Sequence, residues 1–163
     1  MRRRLALAVA VLLGASASVA GAAEWGLIRP GVSTMEGVRA QYGAPTRALR
    51  EKVEGHETDS WVYEGARAPT GMVRLTIEFG LVQSDKFRRE VVRALRLEPK
   101  PGAFTRGVIS NGWGFPDLLG REGEEDFFLY KDGLLVYFDK GGWHARLMLF
   151  TLPQPRDPTE EKR

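Results

Sequence analysis

One stretch of the chain is written twice. Pro30–Pro45 reads PGVSTMEGVRAQYGAP, and seventy-one residues later Pro101–Pro116 reads PGAFTRGVISNGWGFP. Without a gap, Pro30 meets Pro101, Gly31 meets Gly102, Thr34 meets Thr105, Tyr42 meets Trp113, Gly43 meets Gly114 and Pro45 meets Pro116. The matched residues are turn formers, helix punctuation and one aromatic, so a backbone path is what repeats. A fixed period of this kind implies two copies of one supersecondary unit.

In the first copy, Ser33-Thr-Met-Glu36 matches a capping box, in which a hydroxyl accepts from an early helix N–H and the glutamate reaches back. Met35, Val38 and Tyr42 fall at i, i+3 and i+7 and form one apolar stripe. Gly43 suits the left-handed residue that ends a helix, and Pro45 forbids its continuation. A helix over about Thr34–Tyr42 is predicted, with Tyr42 turned inward. In the second copy Asn111 and Gly112 stand in the helix interior, each costing roughly 0.5–1 kcal/mol against alanine. A shorter or distorted helix is expected there.

The amino-terminal residues have a separate purpose. Met1-Arg-Arg-Arg precedes an apolar and small-residue run from Leu5 to Ala23 that closes on Ala20-Gly-Ala22. Basic start, apolar middle and small-residue end make a secretory signal peptide, with cleavage after Ala22 or Ala23. The run is barely long enough to serve instead as an uncleaved anchor. Lys and Arg total 24, three of them Arg2–Arg4, which leaves 21 against 21 acidic residues. A near-neutral mature chain offers no electrostatic case for nucleic acid. There is no cysteine, which excludes disulfides, cysteine-based metal sites and a lipid anchor on an N-terminal cysteine. A unit near 70 residues with no such staple is marginal alone, so the copies should share a core or a sheet.

Hydropathy patterning supplies the strands. Asp59–Gly65 is strand-like by its aromatics and closing glycine. Met72–Phe79 alternates, with Arg74, Thr76 and Glu78 on a wet face. Phe87–Glu98 fits helix or strand, and its counterpart late in the chain favours strand. Asp126–Tyr130 keeps the Asp and Tyr spacing of Asp59–Tyr63, Asp132-Gly133 signals a hairpin turn, and Leu134–Phe138 and Trp143–Leu152 follow as strands. Thr46–Thr58 has no apolar period and reads chiefly as loop. The predicted fold is α+β: a tandem repeat of helix plus three antiparallel strands, with the helices packed on one face of a shared or adjacent antiparallel sheet. The domain plan is a signal peptide over 1–23, a first repeat over 24–99, a second over 100–152 and a disordered tail over 153–163.

Gly31, Ser33/Thr34, Val38, Tyr42, Gly43 and Pro45, then Trp61, Tyr63 and the strand Leu75–Phe79, resemble the SmpA/OmlA (BamE-like) family. The tandem arrangement and length are similar to the β-lactamase inhibitory protein fold. The resemblance implies a non-enzymatic, exported protein, periplasmic or associated with the outer membrane. Its partners would be envelope or outer-membrane proteins; a secreted enzyme is the alternative.

Catalysis needs a positioned nucleophile, base or metal, and no pattern in the chain supplies one. His56 lies in a polar loop and His144 beside Trp143, without metal-ligand spacing. The acidic run Glu122, Glu124, Glu125, Asp126 lacks the alternation of a calcium loop. No cofactor or metal is expected. Lys86, Arg88, Arg89, Arg93 and Arg96 cluster among acids; they suit a solvated face, or a patch for lipid or cell-wall fragments. Apolar residues fall on both sides of the late strands: Leu134, Val136 and Phe138 against Leu135 and Tyr137, and Leu147 and Leu149 against Met148 and Phe150. That pattern means full burial or an exposed apolar patch, and such patches mark interaction sites. Trp61, Tyr63, Phe128, Tyr130 and Tyr137 are the expected anchors of a docking surface, because Trp and Tyr dominate binding hot spots.

Overall fold

Both glycine–proline stops end a helix. In the computed structural model, which describes residues 22–155, α1 spans Met35–Tyr42 and α2 spans Arg106–Trp113. Gly43 and Gly114 have φ of 73° and 80°, a region a side chain rarely adopts, and their amides donate to Arg39 O and Ser110 O. Two local expectations are corrected. α2 is no shorter than α1, because Thr105 Oγ1 accepts from Val108 N and Ile109 is fully buried, which offsets Asn111 and Gly112. The capping box of α1 does not form: Thr34 makes no side-chain cap, and Ser33 Oγ accepts instead from Arg29 N at 2.9 Å.

Four strands follow each helix. After α1 come β1 (Arg47–Val53), β2 (His56–Glu64), β3 (Met72–Gln83) and β4 (Lys86–Pro99), with a 3-10 turn at Gly65–Arg67. After α2 come β5 (Leu118–Glu122), β6 (Glu125–Tyr130), β7 (Leu134–Phe138) and β8 (Ala145–Phe150). All pair antiparallel in one sheet, ordered β1-β2-β3-β4-β8-β7-β6-β5. This overturns the expected tandem of helix plus three strands: the described residues form a single eight-stranded antiparallel sheet with two short α-helices. The strands the sequence reading missed are β1 and β5, the two edges. An edge strand has one neighbour and little to bury, so β1 is exposed over all but its last residue and shows no alternation. Of the signal peptide expected over 1–23, all but Ala22 and Ala23 lies outside the described residues, as does 156–163 of the tail.

One side of the sheet is the core. A cross-strand row runs Tyr130–Leu134–Phe150–Leu95–Ile77–Trp61, and beside it Phe128–Val136–Met148–Leu97–Leu75–Tyr63. Every member of both rows is buried. The rows cross the centre of the sheet at the β4–β8 pairing without a break, so the two halves share one core. Val38 of α1 and Ile109 of α2 close it from the same side. Trp25 packs against this core beside Tyr42 and Trp113, and its ring stacks on Trp113 at 6.4 Å.

The recurring Asp and Tyr of β2 and β6 have matching tasks. Tyr63 Oη donates to Gly43 O, and Tyr130 Oη to Gly114 O, each at 3.0 Å. Each tyrosine thus ties its strand to the carbonyl that ends its helix. Burial pushes the Tyr63 hydroxyl up to about 12 and raises that of Tyr130, so both remain donors at neutral pH. Asp59 pairs with Arg89 at 2.7 Å and with Arg50 on the β1 edge at 3.6 Å. Asp126 pairs with Arg121 on the β5 edge at 2.7 Å and with Arg106 of α2.

These pairs make stability acid-sensitive. The hydrogen bond from Arg89 holds the Asp59 carboxyl below its ordinary range, and that from Arg121 does the same for Asp126. A carboxylate depressed in the folded state stabilises above its unfolded pKa of about 3.9 and loses that contribution as pH falls through the folded value. Thermal unfolding should therefore shift to lower temperature as pH drops below about 4. Asp59→Asn should flatten that dependence. An unchanged slope in the variant would remove Asp59 from the explanation.

Candidate functional site

The opposite face of the sheet is uncovered by either helix, and its chemistry changes at the midline. One cross-strand row reads Leu118, Leu129, Leu135 and Leu149 across β5, β6, β7 and β8, then Arg96, Thr76, Val62 and Arg47 across β4 to β1. Beside it, Gly120, Phe127, Tyr137 and Leu147 span β5 to β8, while Glu98, Arg74 and Glu64 span β4 to β2. The switch from apolar to charged falls where β8 meets β4.

The charged half is internally neutralised. Glu64 takes Arg47 and Arg74, each at 3.0 Å. Glu98 takes Arg74 and Arg96, each at 3.5 Å, and Glu78 takes Arg93 at 2.9 Å. Arg88 pairs with Glu90 at 3.0 Å and Arg89 with Asp59. Every arginine of the basic cluster thus already faces a carboxylate. Exposed pairs of this sort add little stability, but they leave little net field to attract an anion.

The apolar half is a floor of half-buried side chains. Leu129, Leu135, Tyr137 and Leu149 are intermediate in exposure, Leu118 is exposed and Leu147 is covered by its neighbours. The Phe127 and Tyr137 rings lie 6.0 Å apart. Phe127 folds over Gly120, where a Cβ would stand 2.3 Å from the ring tip, so a larger residue there would push the ring aside. Tyr137 Oη donates to Glu122 at 2.7 Å, and this bond raises the phenol's pKa. The acidic run is engaged in the same way: Glu124 with Lys140, Glu125 with Arg146 and Asp126 with Arg121.

Of the five expected anchors, only Tyr137 reaches this face. Trp61, Tyr63, Phe128 and Tyr130 are buried on the helix side, because they share strand parity with Leu75, Ile77, Leu134 and Val136. Arginines from the helices cover two of them: Arg39 lies over Trp61 at 5.2 Å and Arg106 over Phe128 at 5.1 Å. Leu118, Phe127 and Leu129 take their place on the open face. Phe127 and Leu129 were signalled by alternation with Phe128 and Tyr130; Leu118 could not be placed before its strand was recognised.

The histidines are engaged locally. His56 stacks on Phe87 at 4.3 Å, and His144 Nδ1 meets Asp139 Oδ2 at 3.0 Å. Among the described residues no group of three or more His, Asp or Glu is disposed to hold a metal ion. None of their helices is long and apolar enough to cross a membrane.

No protein-family model matches the chain, and no curated protein matches it. Among solved structures it is similar to a DUF4309 family protein (YjgB) from Bacillus subtilis subsp. subtilis str. 168, at 15% identity. The match covers 75% of this chain and 80% of that one, with a TM-score of 0.44. A likeness that distant carries no functional argument.

Proposed function

We propose that the protein is a non-enzymatic, exported protein-binding module of the cell envelope, which docks its partner on the apolar half of the open sheet face. The observation that carries this reading is the row Leu118–Leu129–Leu135–Leu149, uncovered by either helix and bordered by ion pairs. Contiguous apolar surface rimmed by polar groups is the usual mark of a protein-binding site, and Phe127 and Tyr137 add the aromatic area that anchors such contacts. The envelope setting rests on the basic, apolar and small-residue order of the amino terminus and on the SmpA/OmlA-like pattern.

The test is binding to envelope proteins from the producing cell. Leu135→Asp and Leu118→Asp should each weaken capture of the principal partner at least about tenfold, equivalent to about 1.4 kcal/mol. Thermal unfolding of Leu118→Asp should be unchanged, because Leu118 is already half-exposed. Undiminished capture by both variants would end the proposal. If the captured protein is a secreted enzyme that loses activity on binding, the partner is an inhibited target and not an assembly component.

A further inference from the structure

One edge of the sheet is guarded and the other is not. β1 carries Arg47, Arg50, Glu51 and Lys52 among its seven residues, charges that discourage an edge from pairing with another chain. β5 opens with Leu118 and Leu119, 51% and 61% exposed, and Phe115 just before it is 94% exposed. On the side away from β6, β5 has no neighbouring strand among the described residues. Such an edge is a template for another strand.

The segment Asp117-Leu-Leu-Gly-Arg121 is complementary to itself about Leu119. In an antiparallel pair centred there, Leu119 meets Leu119, Leu118 meets Gly120 and Asp117 meets Arg121. Gly120 has no side chain and lies under the Phe127 ring, so Leu118 of one copy lands against Phe127 of the other. The opposite charges at both ends favour this register, since opposed unlike charges stabilise a cross-strand pair. Asp117 Oδ2 accepts from Lys131 N, and Arg121 holds Asp126 through Nε at 2.7 Å, so the pair would form through the terminal guanidinium nitrogens of Arg121. Pro116 has no amide hydrogen and ends the ladder.

We propose that β5 pairs antiparallel with β5 of a second copy of this chain, two-fold symmetric about Leu119. The two-fold keeps each open face on the same side of the joined sheet. The row Leu149–Leu135–Leu129–Leu118 of one copy then continues into Gly120, Phe127 and Tyr137 of the other. A short edge buries far less than the roughly 1,200–2,000 Å² of a standard stable interface. Association is therefore expected in the micromolar to submillimolar range.

Sedimentation velocity and native mass spectrometry test this on the wild-type chain, Leu119→Lys, Leu119→Asp and an equimolar mixture of the two variants. The wild type should dimerise with rising concentration. Each variant alone should weaken the dimer at least about tenfold, because like charges meet at the centre. The mixture should restore association as a heterodimer. Leu49→Lys on the opposite edge should change nothing. A wild type that stays monomeric, a dimer indifferent to both Leu119 variants, or a mixture that fails to associate would each overturn the pairing. The high exposure of Leu119 keeps these variants folded, and melting curves check that. Because these experiments read self-association alone, their failure leaves docking of a different protein on the open face untouched.

Discussion

Phe150→Ala should lower the unfolding free energy by about 3–5 kcal/mol, the cost of emptying a large core site that cannot fully collapse. Phe150 is fully buried and stands at the centre of the sheet, opposite Leu134 on one side and Leu95 on the other. Its ring meets Trp113 at 5.8 Å and Trp25 at 6.2 Å. A domain of this size has about 5–15 kcal/mol of stability in total, so the variant should lose a large share of it and unfold at a lower denaturant midpoint. Urea denaturation followed by tryptophan fluorescence reads the change directly. A loss below about 1 kcal/mol would be smaller than any large-to-small core substitution of this type, and would mean that the halves do not share one core.

Gly133→Ala is the second large effect, at about 2–4 kcal/mol, from backbone strain and steric overlap together. Gly133 sits in the turn between β6 and β7 with φ of 103°. An added Cβ would fall 2.3 Å from Thr151 O and 3.0 Å from Leu152 O. Both are backbone atoms and cannot swing aside. The same turn holds the end of β8, because Thr151 N donates to Gly133 O at 2.8 Å. Gly123→Ala is the control: φ is 61° and nothing lies near the added carbon, so only the left-handed strain of about 1–2 kcal/mol applies. Equal losses in the two variants would remove the steric part of the explanation.

What the sequence made legible was its punctuation and its buried strands. Gly43 and Gly114 announced the helix ends, Asp132-Gly133 announced the turn, and the double-sided apolar pattern of Leu134–Phe138 and Leu147–Phe150 marked the half of the sheet where the candidate face lies. Two things were not legible. β1 is polar because an edge strand buries almost nothing, so hydrophobic period carries no trace of it. β5 is a five-residue LLGRE, too short to show a period. Missing them cost the strand count and left Leu118 unplaced. Four of the five expected anchors turn inward for a different reason. Residue type marks Trp61, Tyr63, Phe128 and Tyr130 as good contacts for anything, and only the register with β3 and β7 shows that what they contact is this chain's own helices and core. Tyr63 and Tyr130 are fixed further by their hydroxyls, each of which donates to a helix-ending carbonyl.

The most direct measurement is a crosslinking map along one cross-strand row. A photoreactive benzoylphenylalanine is placed at Leu135 in the apolar half or at Thr76 in the charged half, two positions that share the row and the open face. Irradiation in the producing cell should yield a discrete adduct from position 135, and little or none from position 76. Equal adducts from both, or an adduct from 76 alone, would contradict docking on the apolar half of the sheet.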